Sequence, residues 1–247
     1  MTHSGAPLSL WSAPLDVPAS LLMELEDCIS PEESDRAGEF RQALDRDRFV
    51  AATGWLRRLL ASQLRGDAHD VRFVTNEGAK PSLIDSDLRF NASRSAGVAL
   101  YATSWTTEVG VDIEQVRDIA DVDGFAERFF SVAEQSALAA LAPTDRLAAS
   151  FQCWANKEAY VKGLGVGLTV SLQRFDSWSS DSAHSTVDGW TIHQVDAGFG
   201  FAAAVAGTGL SGWVPPPPVS LGSLKFDPST GTIERLSGEA LGGSPEE

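Results

Sequence analysis

Charged and apolar residues alternate at helical spacing from Glu32 to about Leu64. There Leu56, Leu59, Leu60 and Leu64 form one stripe beside the polar flank of Arg57, Arg58 and Gln63, which predicts a helix. A glycine-containing turn at Arg65–Asp67 leads into a short apolar run, Val71–Thr75, read as a strand, and then to Gly78–Leu83, where Pro81 interrupts any regular pattern. Weak alternation predicts strands at Val98–Ala102 and Glu108–Ile113. Helical spacing returns at Val122–Phe130 and Val132–Leu141. After a break at Pro143 it predicts a long helix from about Thr144 to Lys162, stopped by Gly163, Gly165 and Gly167. The last third reads as strands at Phe175–Trp178, Trp190–Gln194 and Phe201–Val205, separated by Ser-, Asp- and Gly-rich turns. The order is that of an α+β protein, and the run Phe201–Ala206 loosely echoes Gly97–Tyr101, which raises an internal duplication as one of two even readings. The expected division is an N-terminal half over residues 1–105, a C-terminal half over 106–213 and a Pro/Gly-rich tail over 214–247.

Composition narrows the function classes. At 247 residues, 43% apolar and 21% charged, the chain can bury a core of its own. Cys28 and Cys153 have no CxxC spacing and no ligand-like companions, so free thiols in a reducing compartment are expected. The first residues lack the basic and apolar regions of a secretory signal, and no run reaches the ~18 apolar residues of a membrane span. A cytoplasmic protein with no membrane partner is therefore expected. The uncharged stretch Phe199–Val214 is Ala- and Gly-rich and suits a buried strand with its following turn. A net charge of −15 opposes binding to nucleic acid, which depends on Lys and Arg displacing counterions. Any phosphate-bearing ligand must then be held by a local group of cations.

Two segments could carry such chemistry. In Gly110-Val111-Asp112-Ile113-Glu114 the period of a strand puts Val111 and Ile113 on one face and the carboxylates of Asp112 and Glu114 on the other. Two like charges side by side call for full hydration or for a hard, oxygen-liganded cation such as Mg²⁺. In Trp154-Ala155-Asn156-Lys157-Glu158-Ala159-Tyr160-Val161-Lys162, helical spacing aligns Trp154, Glu158 and Lys162, with Lys157 beside them. This is either an ordinary surface ion pair over a core tryptophan, or a third carboxylate flanked by ammonium groups fit for phosphate oxygens. What separates the readings is whether Glu158 meets the acidic strand. His3, His69, His184 and His193 are scattered without zinc-type spacing, and GxxxxGK[ST], GxSxG and HExxH are all absent.

In combination, the GVDIE strand, Arg128-Phe129-Phe130-Ser131 with Glu134, and Trp154–Leu168 resemble the surfactin-synthetase-activating (Sfp-type) 4′-phosphopantetheinyl transferases. Lys157, Glu158, Ala159, Lys162, Gly165, Gly167 and Leu168 fall at that family's WxxKEAxxKxxGxGL positions. Arg48, Arg57, Lys80-Pro81 and Phe90-Asn91-Ala92-Ser93 fit its upstream elements. The resemblance implies two similar α+β halves related by a pseudo-twofold axis, with coenzyme A in the cleft between them, in a monomer acting on acyl or peptidyl carrier proteins. It implies Mg²⁺, with Mn²⁺ able to substitute, on Asp112, Glu114 and Glu158, and Arg48, Arg57, Lys80, Ser93, Lys157 and Lys162 on the coenzyme. The carrier serine would attack the β-phosphate and expel adenosine 3′,5′-bisphosphate, with Glu158 or a metal-bound water as base. Glu158, Lys162 and Asp112 are thus the expected catalytic residues. The sequence departs from the family at Arg94, where histidine is usual. The cation for the pyrophosphate is kept and a group titrating near neutrality is lost. Its Gly78-Ala79-Lys80-Pro81 is one residue longer than the usual GKP. Phe125 and Phe129, with Arg117 and Arg128, could dock a carrier helix, or the two rings could be core.

Overall fold

A computed structural model describes residues 7–74, 80–166, 170–227 and 232–235. In chain order the elements are strand β1 (Ser9–Pro14), helices α1 (Ala19–Glu26), α2 (Pro31–Gly38) and α3 (Ala43–Leu64), strands β2 (Phe73–Val74), β3 (Ser82–Leu83), β4 (Arg89–Ser95), β5 (Val98–Ser104) and β6 (Val109–Gln115), and helices α4 (Val122–Phe129), α5 (Val132–Ala139) and α6 (Pro143–Leu164). Strands β7 (His184–Val187), β8 (Trp190–Gln194), β9 (Phe201–Thr208), β10 (Val219–Ser220), β11 (Leu224–Asp227) and β12 (Thr232–Arg235) follow. The expected α+β mixture is present. The described residues of 1–11, 73–96 and 100–218 form one compact unit and those of 12–72, 97–99 and 219–247 a second.

In the second unit, the single helix expected over 32–64 is two. Ser30 caps α2 by accepting from the Glu33 N–H while Glu33 accepts from the Ser30 N–H, and Pro31 fills the first helical position. The chain leaves the helix after Gly38, and Phe40 turns onto Phe49 with ring centroids 5.3 Å apart before α3 begins. The buried face of α3 is Val50, Ala51, Trp55, Leu59 and Leu60, while Leu56 and Leu64 are only half-buried. Arg57, expected on the polar flank, is 4% exposed. It donates to Glu33 at 2.6 Å and to the carbonyls of Ala68 and Val71 at 3.0 Å each, tying α3 to α2 and to the turn that follows.

The first unit carries the chemistry. Its antiparallel sheet runs β6-β9-β8-β7, with Asp112 opposite Ala204 and Glu114 opposite Ala202. Helix α6 starts at Pro143 rather than after it, because a proline at the first helical position loses no hydrogen bond, and it ends at Gly165 in the left-handed conformation (φ 70°). Ala155, Ala159 and Gly163, four residues apart, form its smallest face and are buried. That face meets β6 so closely that a Cβ at Gly110 would lie 2.0 Å from the Ala159 carbonyl oxygen and 2.3 Å from the Gly163 nitrogen. Gly110→Ala is accordingly expected to cost about 3 kcal/mol in chemical denaturation, because backbone on both sides must give way. An unchanged midpoint would show that the helix can retreat.

The strand expected at Phe175–Trp178 does not form. Its backbone is taken instead by side chains of the neighbouring helices: the Phe175 carbonyl accepts from Lys157, the Ser177 carbonyl from Asn156, and the Ser177 N–H donates to Glu134. Strands β1, β4 and β7 lacked a legible period. Gly78, Ala79, Gly167 and Leu168 lie outside the described residues, as do residues 228–231 and 236–247 of the expected tail. Cys28 and Cys153 are both free thiols. Among the described residues no helix is long and apolar enough to cross a membrane.

Candidate active site

Alternate positions of β4 face β6 and grip it through polar side chains. Asn91 Oδ1 accepts from the Val111 N–H at 2.8 Å, Ser93 Oγ donates to Asp112 Oδ1 at 2.7 Å, and Ser95 Oγ donates to Glu114 Oε2 at 3.1 Å. The period of β6 holds as read: Val111 and Ile113 are fully buried on one side, and Asp112 and Glu114 stand on the other. Because the small face of α6 lets it lie against β6, the flank beside that face brings Glu158 and Lys162 to the same carboxylates.

The resulting cluster is tightly coupled. Lys162 Nζ donates to Asp112 Oδ1 at 2.5 Å and to Ser93 Oγ at 3.0 Å. Trp154 Nε1 donates to Glu114 Oε1 at 3.3 Å. Asp112 is only 1% exposed, yet its Oδ2 meets no hydrogen-bond donor among the described residues, and neither does the buried Glu158 Oε1. Burial pushes the Asp112 carboxyl above its usual range against the pull of Lys162 and Ser93, and the Glu114 charge adds to the rise. Glu158 is raised too, first by burial and then by the charge of Asp112, with Lys162 opposing and Glu114 adding. The charges of Asp112 and Glu114 on the strand thus reach Glu158 on the helix. Among the described residues no three His, Cys, Asp or Glu side chains converge into a ready metal cage. The ammonium of Lys162 supplies the positive charge at Asp112.

Lys157, beside Glu158 in sequence, faces elsewhere. It is 0% exposed, pairs with Glu134 at 2.7 Å, and donates to the carbonyls of Leu172 and Phe175 at 2.7 Å each. Its expected contact with phosphate is corrected by these surroundings, since its three N–H groups are spent on internal acceptors. The same holds for Arg57, buried among its own partners. Arg48 is held by Asp16 through two hydrogen bonds of 2.7 and 2.8 Å, which lower the Asp16 pKa and raise that of the arginine. Lys80 donates to the Val109 carbonyl at 2.6 Å and to Glu108 at 3.1 Å. Burial pulls its pKa down, and Glu108 opposes the fall. With Arg89, Glu108, Gly165 and Trp190, Lys80 lines a cleft of about 430 Å³ at the end of α6. Arg94 lies exposed on β4 beside Ser93. Phe125 and Phe129 pack with Phe130, Leu138 and Trp154 in a core cluster and keep only partial exposure, so they read as core.

Sequence reasoning missed Ser95, Asn91, Glu108 and the indole N–H of Trp154 as partners of the site. The alternation Asn91, Ser93, Ser95 was the available signal, but with exposed residues between and few β-formers it did not mark a strand.

Residues 108–203 match the sequence model of the 4′-phosphopantetheinyl transferase superfamily. The chain is 33% identical over 213 residues to the 4′-phosphopantetheinyl transferase HetI of Nostoc sp., covering 83% of this chain and 89% of that one. It is 32% identical over 148 residues to the 4′-phosphopantetheinyl transferase Sfp of Bacillus subtilis, 60% of this chain and 65% of the relative. Similarity extends to the mouse L-aminoadipate-semialdehyde dehydrogenase-phosphopantetheinyl transferase, at 28% identity over 60% of this chain and 52% of the other. The chain belongs to the 4′-phosphopantetheinyl transferase family.

Proposed function

We propose that this protein transfers the 4′-phosphopantetheine arm of coenzyme A to a serine of acyl or peptidyl carrier proteins, releasing adenosine 3′,5′-bisphosphate, and that it does so with a divalent cation. The observation that carries the cation is the pair of buried carboxylate oxygens, Asp112 Oδ2 and Glu158 Oε1, that face no donor among the described residues. Two buried acids with raised pKa values are costly unless a positive charge arrives, and an all-oxygen donor set fits Mg²⁺ or Mn²⁺. Asp112, Glu114 and Glu158 would hold the ion, which when bound would draw charge from the coenzyme pyrophosphate.

This chain's own residues then divide the remaining work. Lys162 already lies between Ser93 and Asp112 and can turn its ammonium to a phosphate oxygen as charge develops there. Trp154 and Ser95 fix the two oxygens of Glu114. Glu158, more basic than an ordinary carboxylate, is the candidate to take the serine proton. Lys80 and Arg89 line the adjacent cleft and can meet further phosphate charge, while Ser93 and Arg94 stand on the neighbouring strand. Arg48 would have to exchange Asp16 for a phosphate to take part. That the two halves repeat one plan is supported by the 22-residue length shared by α3 and α6.

The test is the intact mass of an unmodified carrier domain after incubation with coenzyme A, with and without Mg²⁺. A metal-dependent gain of one phosphopantetheine arm is expected, and its absence with both acyl and peptidyl carriers would overturn the assignment. Independently of turnover, Mg²⁺ alone should raise the melting temperature of the wild-type protein but not that of Asp112→Asn. Equal shifts in both would remove the ion from this site.

A further inference from the structure

The fold joins two of the four histidines that the sequence leaves apart. Asp188 and Gly189 both take positive φ, 48° and 82°, which is the geometry of a two-residue type I′ turn, and they connect β7 to β8 with Val187 opposite Trp190. Counting outward from that closing pair, ladder bonds alternate, so Ser185 and Ile192 form a hydrogen-bonded pair and His184 and His193 a non-hydrogen-bonded one. The next bond agrees, since the Gln194 N–H donates to the Ala183 carbonyl at 3.0 Å. Non-hydrogen-bonded pairs hold their side chains closest, and the two imidazole centroids lie 5.5 Å apart.

The state of His193 adds a second, independent observation. The side chain is 6% exposed, and its Nε2 is buried with no hydrogen-bond partner among the described residues. A buried ring nitrogen with an unmet lone pair is what a histidine presents to a metal. His184 is exposed and can turn toward it. With metal–nitrogen bonds of ~2.0–2.1 Å, two imidazoles on one tetrahedral ion have centroids about 5 Å apart, close to the spacing already present. The Trp213 ring also packs against His193, with centroids 5.5 Å apart and planes at 81°.

We propose that His184 and His193 form an accessory site for a borderline divalent cation of the Zn²⁺ class, separate in residues and in ligand chemistry from the carboxylate cluster. No third His, Cys, Asp or Glu joins the pair among the described residues, so water or a small anion would complete the shell. Bound there, the ion would staple the edge strand β7 to β8 across the open end of the hairpin.

The experiment is Zn²⁺ uptake by equilibrium dialysis in excess Mg²⁺, which occupies hard oxygen sites, comparing the wild-type chain with His184→Gln. His184 is exposed and its replacement leaves the core untouched. Wild type is expected to bind one more Zn²⁺ than the variant, or to bind it about tenfold more tightly. Zn²⁺ should also slow diethyl pyrocarbonate labelling of His184, read by peptide mass. His193→Gln should lose the same Zn²⁺ if it folds. Equal uptake by wild type and His184→Gln, or labelling of His184 indifferent to Zn²⁺, would overturn the proposal.

Discussion

Glu158→Ala is expected to lower the rate of phosphopantetheine transfer at least about a thousandfold while leaving the protein as stable as wild type or slightly more so. The two halves of that result have one cause. Glu158 Oε1 is buried without a donor among the described residues, and the side chain is pressed by the charges of Asp112 and Glu114. In the metal-free protein it contributes repulsion and desolvation rather than cohesion, so its removal relieves the fold. In the working enzyme the same uncompensated charge would attract the cation. Transfer measured by carrier mass, with the denaturation midpoint of the metal-free protein alongside, decides the matter. A large fall in the midpoint would make Glu158 a structural residue, and full activity would remove it from the site.

Glu134→Ala should do the reverse, destabilising the protein by about 3–5 kcal/mol, because it strands the Lys157 ammonium in the interior. The pair is 0% and 1% exposed, and Glu134 also accepts from the N–H and the hydroxyl of Ser177 at 2.7 and 3.1 Å. Lys157→Met combined with Glu134→Leu should recover most of the loss, since a buried ion pair replaced on both sides leaves no lone charge. Urea denaturation of Glu134→Leu, Lys157→Met and the double variant measures this directly. Additive losses would mean that the two side chains act independently of each other.

The strong signals in the sequence were those with a regular period and a chemical outlier within it. The alternation in Val111–Glu114 placed both carboxylates on one face, and helical spacing aligned Glu158 with Lys162; both hold in three dimensions. The helix stop at Gly165 was equally legible, because a left-handed cap favours glycine, whereas Gly163, expected to share in the stop, lies inside α6. Arg57 and Lys157 were misjudged for a common reason. Local spacing tells which face of a helix a cation occupies, but not whether distant carbonyls, such as those of Leu172 and Phe175, will fold over it. The segment Phe175–Trp178 failed in the same way: its apolar residues suit a strand, but its backbone was claimed by Lys157, Asn156 and Glu134 from elsewhere in the chain.

Lys157 and Glu158 are consecutive, and a single residue step turns an α-helix by about 100°. One points its positive charge into a nest of carbonyls and a carboxylate, and the other points its negative charge toward the carboxylates of Asp112 and Glu114. Were α6 to turn so that Glu158 took the place of Lys157, its carboxylate would face Glu134 and the carbonyls of Leu172 and Phe175, surroundings of its own sign. The buried charge of Lys157 thus acts as a rotational lock, which holds the helix against sliding in a way that apolar packing on small alanines and glycine alone would not.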